Sequence, residues 1–150
     1  MAATETHFLD AEDALLARLR ESCPDARAVG SVADMAAMEQ RQQTTPALYV
    51  LYDGYTPGED VGRGSIQRIT QRWLVICAVR HVAAPQASQS AREDGGRLLS
   101  QVLAALQGWS PQKGRYSPLR LAAAPPPEYQ AGFGYLPTAW DMTLTTRGEH

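Results

Sequence analysis

Cysteine is nearly missing from this chain, which has only Cys23 and Cys77. Two thiols make no disulfide framework, and Cys77 lies in an apolar, strand-like segment where a small buried residue is the simplest reading. Histidine is almost as scarce: His7 and His150 are near the two ends, and His81 is at a strand end. None stands three or four residues from another ligand type on a helical stretch, which excludes the usual zinc spacings. Cys77 and His81 share a strand face but stand about 13 Å apart by strand rise, too far for a nucleophile and its base. No apolar run approaches the ~20 residues of a membrane span. The opening MAATETHFLDAED has no basic region leading into an apolar run, so no secretory signal is expected and synthesis is placed in the cytoplasm. Neither sign of charge dominates, with 14 Lys and Arg against 16 Asp and Glu. The basic residues are scattered, unlike the clustered patch of a nucleic-acid binder. The stretch GEDVGRG lacks the Lys-Ser/Thr of a phosphate loop, and Asp53, Glu59 and Asp60 lack calcium-loop spacing. No metal or cofactor is expected, and no enzyme activity.

What is present is enough for one core. A chain of 150 residues with 44% hydrophobic content reads as a single domain, 1–150, with 1–8 and 147–150 as flexible ends. Folding should bury roughly 70% of the surface of the unfolded chain. The clearest signal runs from Ala91 to Pro111. Ala91, Gly95, Leu98, Leu99, Val102, Ala105, Leu106 and Trp109 fall at steps of three and four, on one face of a helix. Gly108 stands where a left-handed cap is needed, Pro111 prevents continuation, and Gly95-Gly96 predicts close packing of this helix on a sheet. His81–Ser90 reads as the loop leading in, with Ser88 or Ser90 as caps.

The rest of the chain supplies the partner layer. Asp10 is a candidate cap for a first helix whose Leu15, Leu16 and Leu19 face the core, and Pro24 ends it. Ala26–Val32 reads as a short strand or loop, and Ala33–Arg41 as a short helix or turn. Ala47–Tyr52 has the continuous apolar character of a strand buried on both faces. Asp53–Ser65 holds four glycines and a proline and reads as a loop. Ile66–Ala83 alternates, with Ile69, Trp73, Val75, Cys77 and Val79 on one face and Arg68, Thr70, Arg72 and Arg80 on the other. Leu119–Ala123 and Tyr135–Thr146 follow as strands, separated by three consecutive prolines that force an extended excursion or an edge. The order predicts an α+β fold: an antiparallel or mixed sheet of about four to five strands with helices on one face.

Candidate functional residues lie on surfaces. The segment Asp53–Ser65 projects Tyr55, Glu59, Asp60 and Arg63, either as a protein-contact element or as a solvated loop. The row Arg68, Arg72 and Arg80, with Gln71 nearby, either meets acidic groups on a neighbouring subunit or forms an ordinary solvated sheet face. The segment around Pro125–Tyr135 is either an arm laid on a partner or a simple crossover.

Taken in order, PALYVLYDGY (46–55), QRWLVICAVR (71–80), LQGWSP (106–111) and GYLPTAWDMTL (134–144) resemble the tail terminator proteins of long-tailed bacteriophages, particularly the Mu-like siphophage group. The resemblance spans about Leu9 to Thr145 and rests on packing patterns. It implies a structural virion protein in the neck of the tail, assembled in the host bacterial cytoplasm. The protein would form a ring, hexameric in the family, at the head-proximal end of the tail tube. The ring stops tube polymerisation and offers a surface to the head–tail connector protein, while DNA passes through without specific binding. Head-to-tail closure needs two different complementary patches per subunit. Tyr55, Glu59, Asp60, Arg63, Arg68 and Arg72 are the candidates for the subunit or tube interface. Two other readings remain: a sibling head–tail connector or completion component, or a small-molecule-binding α+β domain whose pocket is lined by Trp73, Trp109, Trp140 and Tyr129.

Overall fold

The alternating segment that starts at Ile66 becomes the axis of the molecule. The computed structural model describes residues 6–37, 44–81 and 85–150. The elements run α1 (Ala11–Ser22), β1 (Ala28–Ser31), α2 (Val32–Ala37), β2 (Ala47–Val61), β3 (Ile66–Arg80), α3 (Pro85–Leu106), β4 (Arg120–Ala122), β5 (Glu128–Gln130) and β6 (Phe133–Arg147). Among the described residues six strands form one mixed sheet in the order β1-β2-β3-β6-β4, with β5 also on β6. Of the strand pairs described, only β1–β2 is parallel. The α+β expectation holds, and the strand beyond the four or five foreseen is the three-residue β5.

One face of the sheet carries the core. Leu48 and Val50 of β2, Trp73, Val75 and Cys77 of β3, and Trp140 and Met142 of β6 pack with Leu15 and Leu19 of α1 and Leu98, Val102 and Leu106 of α3. Trp73 and Trp140 stand opposite each other in the β3–β6 ladder, and both are fully buried. At about 25 cal/mol per Å2 and 150–250 Å2 per ring, each contributes on the order of 4–6 kcal/mol before entropy is subtracted. Their indole N–H groups are satisfied locally: Trp73 Nε1 donates to Gln71 Oε1 at 3.1 Å, and Trp140 Nε1 to Thr138 Oγ1 at 2.8 Å.

Gly95 lets α3 approach this face. A Cβ there would lie 3.0 Å from Val79 Cγ1 and 3.2 Å from Leu136 Cδ1, whereas one at Gly96 would meet open space. Only the first glycine of the pair is therefore a packing residue. The helix begins at Pro85, several residues before the expected start, so Ser88 and Ser90 lie inside it and do not cap it. Proline suits a first helical position because the amide hydrogen it lacks would find no intrahelical acceptor there. Gly108 takes φ +78°, and the turn that follows ties back through Leu119 N–H to Trp109 O at 2.9 Å.

At the other end of the chain order, α2 is opened by a capping box. Ser31 N–H donates to Asp34 Oδ2 at 2.8 Å and Asp34 N–H to Ser31 Oγ at 3.2 Å, which holds the Asp34 carboxyl below the usual carboxylate range. The expected span Ala33–Arg41 extends past α2 into residues outside those described. Asp10 occupies the N-cap position of α1 without making a side-chain cap bond. Its carboxylate instead accepts the Tyr116 hydroxyl and lies 2.9 Å from Arg115 Nη1.

Candidate assembly surface

The Gly- and Pro-rich stretch after Tyr52 is strand for most of its length, contrary to the expected loop. β2 continues to Val61 and stays paired with β3, with register shifts between Tyr52 and Tyr55 and between Pro57 and Asp60. These irregularities absorb Gly54 and Gly58-Glu59 without ending the ladder, as β-bulges do. Gln67 Nε2 spans the second irregularity, donating to Gly58 O at 2.9 Å and Glu59 O at 3.1 Å. The turn itself is only Gly62–Ser65. Gly62, Arg63 and Gly64 adopt φ of 69°, 60° and 86°, and Asp60 Oδ1 accepts the Gly64 N–H at 2.6 Å. On the far side, β6 pairs with β3 out to Ile66↔Arg147, and Gly148 N–H donates to Ser65 O at 2.7 Å. The product is a three-stranded arm, stiffened from below, that ends in a charged tip.

The six candidate residues are distributed over this arm and do not converge on one point. Tyr55 is opposite Gln71 and so faces the helix side, where it is 57% exposed and meets Phe8 edge-on at 5.6 Å. Phe8 is held there because Gln71 Nε2 donates to its carbonyl at 2.6 Å. Glu59 and Arg63 are exposed near and at the tip, and Asp60 is the tip's internal acceptor. Arg68 and Arg72 lie on the opposite, outer face of the sheet. Arg68 is exposed, while Arg72 is half-buried, 3.7 Å from Asp53 Oδ2, and donates through Nη2 to Ala123 O.

Across the outer face the registers bring Arg72 opposite Asp141, and Asp141 opposite Arg120. With Asp53 beside Arg72, four strands thus carry a row of alternating charge: Asp53, Arg72, Asp141, Arg120. Sequence reasoning found the arginines of β3 but missed this row, because each partner comes from a different strand. The alternation of Ile66–Arg72 was the available clue, since a strand that long needs an equally long neighbour.

The aromatic residues proposed for a ligand pocket separate in the structure. Trp73 and Trp140 are core, Trp109 is half-buried beneath the Arg18 guanidinium at 5.3 Å, and Tyr129 is 55% exposed against His81. Burial pushes the Cys77 thiol up to about 12 and the Cys23 thiol to about 11. No group of three or more His, Cys, Asp or Glu side chains stands together among the described residues. Among them, too, no helix is long and apolar enough to cross a membrane.

Nearly the whole sequence matches a known family. Residues 5–149 fit the model of the phage tail terminator protein. This chain belongs to the phage tail terminator family. No curated protein matches it. Membership makes it a structural component of a bacteriophage tail.

Proposed function

We propose that this tail terminator forms a ring, with six subunits, at the head-proximal end of the tail tube. The ring caps the tube against further polymerisation and presents its other side to the head–tail connector, and DNA traverses the bore without being held. The placement among Mu-like long-tailed phages rests on the order of sequence segments alone. The observation that carries the ring reading is the arm itself. A fifteen-residue β2 runs out along β3 and is braced by β6, yet it leaves Tyr55 and Val61 more than half exposed. Large exposed side chains on a stiff projecting element suit contact with other subunits better than solvent. On the outer face Arg72 and Arg120 stand in an alternating row with Asp53 and Asp141, which suits a bore that must not grip phosphate.

Light scattering of the purified chain, alone and with tail tube protein, tests this reading. A discrete ring-sized species, and tubes of shortened, uniform length, are expected. A strict monomer that neither joins nor shortens tubes would overturn it.

A further inference from the structure

We propose that subunits join by β-augmentation, the acidic outer edge of β2 in one copy pairing with the basic lower edge of β6 in the next; the inference rests on the ring reading and specifies its interface. The two edges of the arm are unlike each other, and among the described residues no strand pairs with either along its outer half. β1 pairs with β2 only through Val50, so among the described residues no strand covers β2 from Leu51 to Val61. β4 pairs with β6 only from Ala139 to Asp141. Below that point, Thr143 exchanges bonds with Ser117: its N–H donates to Ser117 Oγ at 2.8 Å and its carbonyl accepts Ser117 N–H at 2.9 Å. Thr143 therefore points its main-chain groups away from β3, and by strand alternation so do Thr145 and Arg147. Gly148 N–H, one residue out of phase, points back to Ser65 as this phase requires.

An uncovered strand edge is a template for another strand, and natural proteins commonly protect one with Lys, Pro or charge of a repelling sign. Here β2 carries Pro57 and two bulges but no Lys or Arg, and the charges of the two edges are of opposite sign, so they attract. Asp53, Glu59 and Asp60 line β2 from Leu51 to Val61, and no basic residue interrupts them. The β6 side carries Arg147 at its end and, on β4, Arg120 opposite Asp141, with Glu149 the acidic residue just beyond. Beside the β6 edge lies a shallow groove of about 430 Å3, bounded by Arg68, Arg115, Ser117, Thr143 and Thr145. Arg115 is already paired with Asp10, but the exposed Arg68 guanidinium beside the uncovered main chain of Thr145 and Arg147 suits an acidic strand. Because the donor and acceptor edges are on opposite sides of the same arm, the contact is head-to-tail, and a second copy is the occupant that closes it.

Charge reversal at exposed positions tests the pairing. Glu59→Lys and Arg147→Glu should each keep the wild-type fold by circular dichroism and weaken assembly at least tenfold at low salt. An equimolar mixture of the two variants should recover assembly. Around an alternating ring the two reversed charges would face each other at one junction, and the unchanged Glu59 and Arg147 would face each other at the next. Hydrogen exchange of the assembled wild type should show new protection at Gly58–Val61 and at Thr145 and Arg147. Thr145→Pro, which removes an outward N–H and no bond to β3, should block assembly without the charge change. Rings that form normally from each variant alone, with both edges still exchanging freely, would overturn the proposal and leave the ring reading standing. A wild type that stays monomeric with tube protein present would overturn both.

Discussion

The carboxylate of Asp10 and the guanidinium of Arg115 stand 2.9 Å apart, with 13% and 21% of their side chains exposed. The contact is ionic, since Nη1 has no acceptor in hydrogen-bond line, while Nη2 donates to His7 O at 2.9 Å. Tyr116 completes the group by donating its hydroxyl to the same carboxylate. The start of α1 is thereby fastened to the turn that follows α3. Asp10→Asn should cost about 2–3 kcal/mol, below the roughly 3–5 kcal/mol of a fully buried pair because both side chains keep some water. Urea unfolding read by tryptophan fluorescence measures it.

Alkaline titration should expose the buried weak acids. Tyr116 is pushed up to about 12, by burial first and the bond to Asp10 second, and Cys77 also to about 12 by burial. A folded-state pKa above the unfolded one means the stability these groups confer is complete below the unfolded value. It is lost as pH rises through the folded value. Thermal stability should therefore decline from about pH 9 to pH 12, and the decline should be shallower in a Cys77→Ala, Tyr116→Phe double variant. A thiol reagent at about pH 8 should reach Cys77 only as fast as the protein opens.

Gln71 is a fully buried amide that bridges Phe8 O and Trp73 Nε1. Gln71→Leu keeps most of the volume but strands both partners, at an expected cost of about 2–3 kcal/mol. Limited proteolysis should then cut around Phe8 well before the core opens.

The two adjacent glycines of α3 should separate cleanly. Gly96→Ala gains helix propensity in open space and should stabilise by about 1 kcal/mol. Gly95→Ala must move Val79 and Leu136, so the same gain is offset by overpacking of about 1–3 kcal/mol. Thermal melts should rank Gly96→Ala above wild type and Gly95→Ala below it.

Arg68 and Arg72 look alike in sequence and should behave differently. Arg72→Ala loses the Ala123 and Asp53 contacts and should cost about 1 kcal/mol, with faster exchange in the Pro-rich segment. Arg68→Ala should leave stability within about 0.5 kcal/mol of wild type and show its effect only in sedimentation of the assembled species.

The sequence was most legible where one element's pattern sufficed. The 3.6-residue period of Leu98, Val102 and Leu106, and the two-residue period of Ile69 to Val79, place the core face of α3 and β3 correctly. The reading of Asp53–Val61 failed because Gly54, Pro57 and Gly58 speak for a loop locally. The ladder to β3 that overrides them comes from another part of the chain. Asp10 failed likewise: its position at a helix start was visible, but the choice of Arg115 over the backbone is a tertiary decision. The candidate surface was legible as a list of exposed charges and illegible as a pattern, since Asp53, Arg72, Asp141 and Arg120 become neighbours only after four strands align.

The ladder between β3 and β6 runs from Ile66↔Arg147 to Arg80↔Phe133 with no break in register, unlike the twice-shifted ladder on the other side of β3. Pulling the arm outward would load that ladder lengthwise, so its bonds resist together in shear where a peeled hairpin would yield them singly. Force arriving at the tip is thus shared along the ladder down to the buried Trp73–Trp140 pair. A tail component built this way resembles a cantilever rooted in its own foundations, rigid along the strand, with its ladder interrupted at the two kinks of β2.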